Sequence, residues 1–239
     1  MSEASGPARI RRVVTTRSGG VSKPPFDSFN LGDHVGDDPD AVAANRRRLT
    51  DELDLGRVAW MEQVHGRTVT VVDGTEGEPA EATDALVTTR PGTAVAVLVA
   101  DCVPVLLGDA EAGVVAAVHA GRVGARVGVL PAAVAAMTAE GARVERIEAL
   151  LGPAVCGACY EVPREMADDV EAHLPGSACS SRAGRPALDL RSGLWNQLGE
   201  LGVGAVGVDP RCTVEDHTLF SHRRTGRTGR IAALTWYEE

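Results

Sequence analysis

Aromatic residues are scarce: three Trp, two Tyr and three Phe make up 3% of a 239-residue chain. A core without them has to be filled by Val, Leu and Ala, and the 44% hydrophobic content is large enough to do so. Lysine is rarer still. Lys23 is the only one, and arginine carries nearly all the positive charge, a trait read here as compositional. There is no basic excess either. The net charge is −9, which argues against a nucleic-acid partner, because gripping phosphates wants a basic face. Apolar runs are interrupted by Asp, Arg or Pro too often to cross a membrane, so no membrane partner is expected. The opening "MSEASGPARIRR" lacks the apolar core of a secretory signal, so a cytoplasmic location is expected. Five cysteines, an odd number, then read as reduced thiols with at least one functional, not as a disulfide framework.

What is there reads as one domain over residues 1–239, with residues 1–10 expected to be disordered. "TTRSGGVSKPPFDSFNLGDHVGDDP" is a long loop, and loops of that length are usually functional. Asp38 followed by Pro39 predicts an N-cap and a helix to about Leu53. "VAWMEQVHGRTVTVVD" predicts strand, turn and strand with His65 at the turn. A further strand is expected over Ala94–Ala100. "AGRVGARVGVLPAAVAAMTAEGA" predicts a glycine-rich turn into an Ala-rich helix ending near Gly141, where Pro131 starts or kinks it. Such a turn can bind an anion through its free backbone N–H groups. "PREMADDVEAHL" and "LRSGLWNQLGELG" read as helices, "RIEALLGPAV" and "VGAVGVDPRC" as strands. Hairpins mixed with separate helices predict an α+β fold, with mixed β-sheets and flanking helices.

The most informative stretch is "ADCVPVLLGDAEAGVVAAVHAGRVGA". Two β-rich apolar runs flank a turn cluster and predict a hairpin. Pairing Gly108 with Gly113 and counting outward sets Cys102 opposite His119. Cross-strand neighbours have Cβ atoms roughly 4.5–5.5 Å apart. A thiolate and an imidazole at that spacing could clamp a metal ion or form a nucleophile pair. They could equally be a small buried thiol and a satisfied core histidine. Pro104 leaves the register open, since proline in a sheet marks an edge, a first position or a bulge.

This stretch, with "EQVHG", "CYEV" and "FSHRRTGRTGR", resembles the YfiH/YlmD family, also called the laccase-domain or multicopper polyphenol oxidase family, over nearly the whole chain. The resemblance implies a YfiH-like fold. It also implies a metal site made by His65, Cys102 and His119, which would be the catalytic residues too. It adds His65, which spacing alone did not assign. Arg17 in "TTRSGG" and Asn30 in "SFNLG" match family positions and are expected in the pocket wall, although turn chemistry also explains Asn30. Gln63 would share a strand face with His65. Two departures stand out. Where the family often has "HAGWRG", this chain has "HAGRVG", with Arg122 at the tryptophan position and Val123 at the arginine position. Where the family has a "CTYCD"-like segment, it has "CTVEDH", so Glu215 replaces a cysteine. Cys156 and Cys159 form a C-x-x-C with no second C-x-x-C, and are read as buried or loop cysteines.

Two imidazoles and one thiolate leave a fourth position open on zinc, which is the pattern of a catalytic site. Zinc brings the pKa of bound water to roughly 7, which suits adenosine deamination. The resemblance also implies phosphorolysis of purine nucleosides: adenosine, inosine or methylthioadenosine. That reaction needs phosphate, for which the Gly121–Gly124 turn, Arg122, Arg223, Arg224 and above all Arg230 are candidates. Glu161 is a candidate acid/base. The expected partners are therefore a purine nucleoside and phosphate, and the expected cofactor is zinc, with copper as a second option. Three other readings are a copper-dependent polyphenol oxidase, a Cys–His hydrolase editing peptidoglycan precursors, and a metal-binding module without activity. The six histidines, with no His-x-His pair, weigh against a classical multicopper centre.

Overall fold

The computed structural model describes residues 9–75 and 77–238. In chain order the strands are β1 (Arg9–Val14), β2 (Arg57–Ala59), β3 (Val69–Val71), β4 (Ala85–Thr88), β5 (Thr93–Val99) and β6 (Val103–Asp109). They continue with β7 (Val114–Ala120), β8 (Glu148–Leu151), β9 (Ala178–Ser180), β10 (Pro186–Leu188), β11 (Ala205–Val208) and β12 (Ile231–Glu238). The helices are α1 (Pro39–Glu52), α2 (Arg122–Arg126), α3 (Val129–Ala139), α4 (Arg164–His173), α5 (Leu190–Glu200) and α6 (His222–Thr225). Arg9 and Ile10, expected in a disordered start, open β1 and pair with Glu238 and Tyr237; the rest of that expected segment lies outside the described residues. No described helix is long and apolar enough to cross a membrane.

A six-stranded mixed sheet runs β11-β8-β6-β7-β4-β3, and a four-stranded one runs β1-β12-β5-β2. They pack face to face. Val95, Val97 and Val99 of β5 and Ile231 and Ala233 of β12 meet Leu106, Val115 and Ala117 of the larger sheet. Helix α3 covers the outer face of the larger sheet through Leu130, Ala133 and Met137. Helix α1 and the loop before it cover the outer face of the smaller one through Leu31 and Leu49. This layering explains why β5, β6 and β7 read as unbroken apolar runs: each is buried along its whole length. The core is mostly Val, Leu and Ala, and the few aromatics are largely spent in it: all three Phe, Trp236 and Tyr237 are buried. The α+β expectation holds.

The β6–β7 hairpin forms, in a different register. Asp109 pairs with Val114, and Pro104, not Cys102, stands opposite His119. The turn is the reason. Gly113 has φ 64°, so it belongs inside the loop, and the Asp109 carboxylate accepts the N–H groups of Glu111 and Ala112. The partner of each residue therefore shifts by two. A shift of two preserves the side-chain alternation, so Cys102 stays on the His119 face, one diagonal step away. Pro131 does not kink a continuous helix. It sits in the first turn of α3, after Gly128 at φ 86° separates α3 from α2.

The long loop before α1 is held by one side chain. Asn45, 1% exposed, donates to Ser22 Oγ and to the carbonyls of Ser28 and Asn30, and accepts the Val21 N–H. Replacing Asn45 with Ala leaves these groups buried without a partner and should cost about 2–3 kcal/mol in chemical denaturation. A loss below about 0.5 kcal/mol would show that the loop does not depend on Asn45.

Candidate active site

Three segments converge at one end of the sheet interface. His119 lies on β7 and is 3% exposed. Cys102 immediately precedes β6. His65 sits in the turn before β3 in the left-handed region, at φ 60°. One donor atom from each of the three falls within 4.8 Å of the others. The two imidazoles meet edge to face with centroids 4.7 Å apart. A Cβ on Gly121 would lie 2.7 Å from His65 Nδ1 and 3.0 Å from Cys102 Sγ, so only glycine leaves room for the cluster.

Asp84 organises it. Its buried carboxylate lies at the head of β4. Oδ1 accepts from His119 Nδ1 at 2.8 Å and from the His65 N–H at 2.9 Å, and Oδ2 accepts the Gly66 N–H at 2.6 Å. Its carbonyl accepts the His119 N–H at 2.8 Å. With Nδ1 committed to Asp84, Nε2 is the nitrogen of His119 left for a ligand. Burial opposes charge on His119, but negative charge on Cys102 and the bond to Asp84 outweigh it and hold its pKa up to about 9. Burial, then the neighbouring His119 charge, pushes His65 down. The acidic partner has its own strain: Asp101, beside Cys102, has φ 92°. Its carboxylate holds the position by accepting from Thr213 Oγ1, Ser221 Oγ and the Arg223 N–H at 2.6–2.7 Å.

The cluster lies in a cavity of about 390 Å³. Of the residues expected in its wall, Gln63, Arg122 and Arg230 line it. Gln63 is bonded in both directions to the Leu98 backbone at 2.8 Å, so its amide fixes the wall more than it offers free groups. Arg17 and Asn30 are not among the lining residues. Arg17 pairs with Asp27 and stacks on Phe220, while Asn30 is fully buried and accepts the Arg230 N–H at 2.8 Å. Of the tail arginines, Arg223 joins the wall and lies over the Tyr160 ring. Arg224 instead ties together the carbonyls of Thr213, Val214, Asp216 and Leu219. Glu161 is occupied with Ser181 and Arg185 and does not line the cavity. Sequence reading missed Asp84, Tyr160, His34 and His222. Asp84 carried a signal as a carboxylate directly before the wholly buried β4, and Tyr160 and His222 lie inside the "CYEV" and "FSHRRTGRTGR" motifs.

The sequence profile of a family described as multi-copper polyphenol oxidoreductase laccase matches residues 11–238. The chain belongs to this family. A purine nucleoside phosphorylase of Mycobacterium tuberculosis is 60% identical over 96% of this chain and 93% of its own length. One from Corynebacterium glutamicum is 58% identical over 95% of this chain and 94% of its own length. The crystal structure of YlmD from Geobacillus stearothermophilus superposes with a TM-score of 0.89 at 34% identity, covering 100% of this chain and 98% of that one. A Neisseria meningitidis protein gives 0.88 at 37% identity, covering 98% and 96%. Family and fold thus agree with the motifs that carried the resemblance.

The donor set suits a resident metal: two imidazoles, one thiolate, an oriented His119 and a glycine where any side chain would collide. Asp84→Asn removes the charge and turns one of the two acceptor oxygens into a donor facing an N–H, so it should weaken metal affinity about 10–100-fold by loosening the His119 ring and lowering its basicity. Competition with a zinc chelator reads this. Unchanged affinity would remove Asp84 from the account.

Proposed function

We propose that this chain is a zinc-dependent purine nucleoside phosphorylase acting on adenosine, inosine and methylthioadenosine, with adenosine deamination as a second activity of the same cavity. The observation that carries the reading is the charge of the cavity wall. On a chain of net charge −9, Arg122, Arg223 and Arg230 converge on the His65–Cys102–His119 cluster. Among the described residues the one carboxylate in the wall is Asp101, which already accepts from three donors. Such a wall favours an anionic co-substrate beside the metal site, and guanidinium groups grip phosphate with paired N–H bonds. The phosphorylases of Mycobacterium tuberculosis and Corynebacterium glutamicum that it resembles point the same way.

In phosphorolysis a phosphate oxygen bonds to ribose C1′ while the C1′–N9 bond breaks, and the purine takes the electron pair and a proton. The arginines would bind and orient the phosphate. Arg230 is pre-positioned by its own carbonyl contacts at Thr228 and Gly229, and Arg223 by the Glu161 carbonyl. Tyr160 lines the same wall under the Arg223 guanidinium. His65, Cys102 and His119 would hold zinc, which would supply a Lewis acid beside the arginine-lined wall. Zinc is preferred because six histidines with no His-x-His pair weigh against a multicopper centre, although two imidazoles and a thiolate also suit copper and the family description keeps copper-dependent phenol oxidation as an alternative. The Cys102–His119 contact keeps a thiol hydrolase acting on peptidoglycan precursors as another. A cytoplasmic location fits the five free cysteines.

Protein expressed without added copper and incubated with adenosine should release adenine and ribose 1-phosphate only when phosphate is present, and inosine with or without it. If neither product forms with zinc bound, this reading fails. Cys102→Ala and His119→Ala should each abolish turnover while circular dichroism stays native. Unchanged rates in either would remove the cluster from catalysis. Arg122→Ala should raise the phosphate KM about tenfold or more, the loss of one charge-assisted contact, with a smaller change in the nucleoside KM. An unaltered phosphate KM would take Arg122 out of the anion site.

A further inference from the structure

Two short turns, distant in the chain, meet behind the cavity wall. "CGAC" (Cys156–Cys159) and "CTVE" (Cys212–Glu215) reverse direction in the same way. The N–H groups of Cys159 and Tyr160 donate to the Cys156 carbonyl at 2.9 and 3.0 Å, and those of Glu215 and Asp216 donate to the Cys212 carbonyl at 3.1 and 2.8 Å. A parallel bridge between Ala154 and Cys212 sets the two turns side by side. The Cys156 N–H also donates to Cys212 Sγ at 3.4 Å. As a result one donor atom from each of Cys156, Cys159, Cys212 and Glu215 lies within 4.8 Å of all the others. The sequence shows a C-x-x-C without a second one. The fold supplies the second half as Cys-x-x-Glu, with the same spacing and the same turn.

We propose that these four side chains form a second, closed zinc site whose role is structural. Tetrahedral zinc takes thiolate sulfur at about 2.3 Å and carboxylate oxygen at about 2.0–2.2 Å, which puts a sulfur and an oxygen about 3.6 Å apart. Cys159 Sγ and Glu215 Oε1 are 3.7 Å apart already. Thiolate donors select zinc over harder cations, and four protein ligands leave no place for substrate. Paired knuckle turns with an N–H aimed at a ligating sulfur are the supporting shell such a site needs. Three thiolates and a carboxylate around Zn²⁺ leave a charge of −2, which Arg182, paired with Glu215, offsets in part. A disulfide would use two of the thiols and leave the third and Glu215 without a reason to converge. Cys212 is buried, Cys156 and Cys159 are half-buried and Glu215 is exposed, so an ion can enter from the Glu215 side.

The site would clamp the segments that form one wall of the cavity. Val155 and Tyr160 flank the first turn, and Thr213 of the second, with Ser221 and Arg223 beyond it, holds Asp101 next to Cys102. The ion would thus position the wall without touching substrate, and the proposal stands whether or not the cavity is a phosphorylase site.

The test uses the His65→Ala/His119→Ala double variant, in which the first cluster cannot hold metal. Purified in reductant without chelator, it should carry about one zinc per chain by plasma mass spectrometry, and adding Cys159→Ser should remove it. Cobalt loaded in place of zinc should show charge-transfer absorbance of a three-thiolate site. Glu215→Ala, an exposed change that spares the fold, should weaken zinc binding about tenfold or more, and Glu215→Cys should restore or tighten it. A folded double variant that holds less than about a tenth of an equivalent after incubation with zinc and gel filtration would overturn the proposal. So would equal alkylation rates of Cys156, Cys159 and Cys212 with and without zinc, or a disulfide among them that survives purification in reductant.

Discussion

The Asp84 carboxylate is the constraint on which the site depends. A fully buried carboxylate costs several kcal/mol of desolvation unless donors surround it. Asp84 has them in the His119 imidazole and the backbone N–H groups of His65 and Gly66. These are charge-assisted bonds, each worth about 1.5–3 kcal/mol, enough together to offset the burial. The same bonds do three structural jobs. They fix the His119 ring, keep His65 in a left-handed backbone conformation that its side chain disfavours, and join β4 to the turn before β3. Without that carboxylate the two imidazoles would have no reason to face each other.

Around this point the fold sorts its arginines by what their guanidinium groups touch. Arg224 spends its nitrogens on four carbonyls and becomes a staple. Arg17 is neutralised by Asp27. Arg122, Arg223 and Arg230 keep their charge toward the cavity, with Arg230 pushed to a lower pKa chiefly by burial. Positive lining inside an acidic molecule focuses an attractive field on one opening, while the remaining surface repels anions.

The sequence made much of this legible, and the limits have physical causes. Apolar runs and Gly-rich turns located β5, β6 and β7, and Asp38–Pro39 located α1. The register of the β6–β7 hairpin is not legible in the sequence, because the positive φ that places Gly113 in the loop and not at the closing pair is a property of the folded turn. The face assignment survives, since a two-residue shift conserves alternation. Arg17 and Asn30 matched family positions and were expected in the pocket wall, yet a matched position does not say what a side chain touches. Asp27 and the Arg230 backbone, unpredictable neighbours 10 and 200 residues away, decided it. Asp84 escaped notice because its partners come from two other segments, and only the folded chain brings them together.

The altered motif after His119 gains a meaning from the helix that follows. In this chain the residue after Gly121 faces the cavity, while Val123 is 39% exposed. One step along a helix turns a side chain by about 100°, so moving an arginine from the second position to the first does not shift it sideways but rotates it to another face. Arg122 is therefore a cation placed where the family pattern has an aromatic ring. Gly124 shows why the turn itself could not change: a Cβ there would stand 2.9 Å from the Gly66 carbonyl, on the same turn that carries His65. The backbone of α2 is thus held by its contact with the turn that carries His65, and the side chain at position 122 is the freedom that remains. A change in how the cavity meets an anion could enter there without disturbing His65, Cys102 or His119.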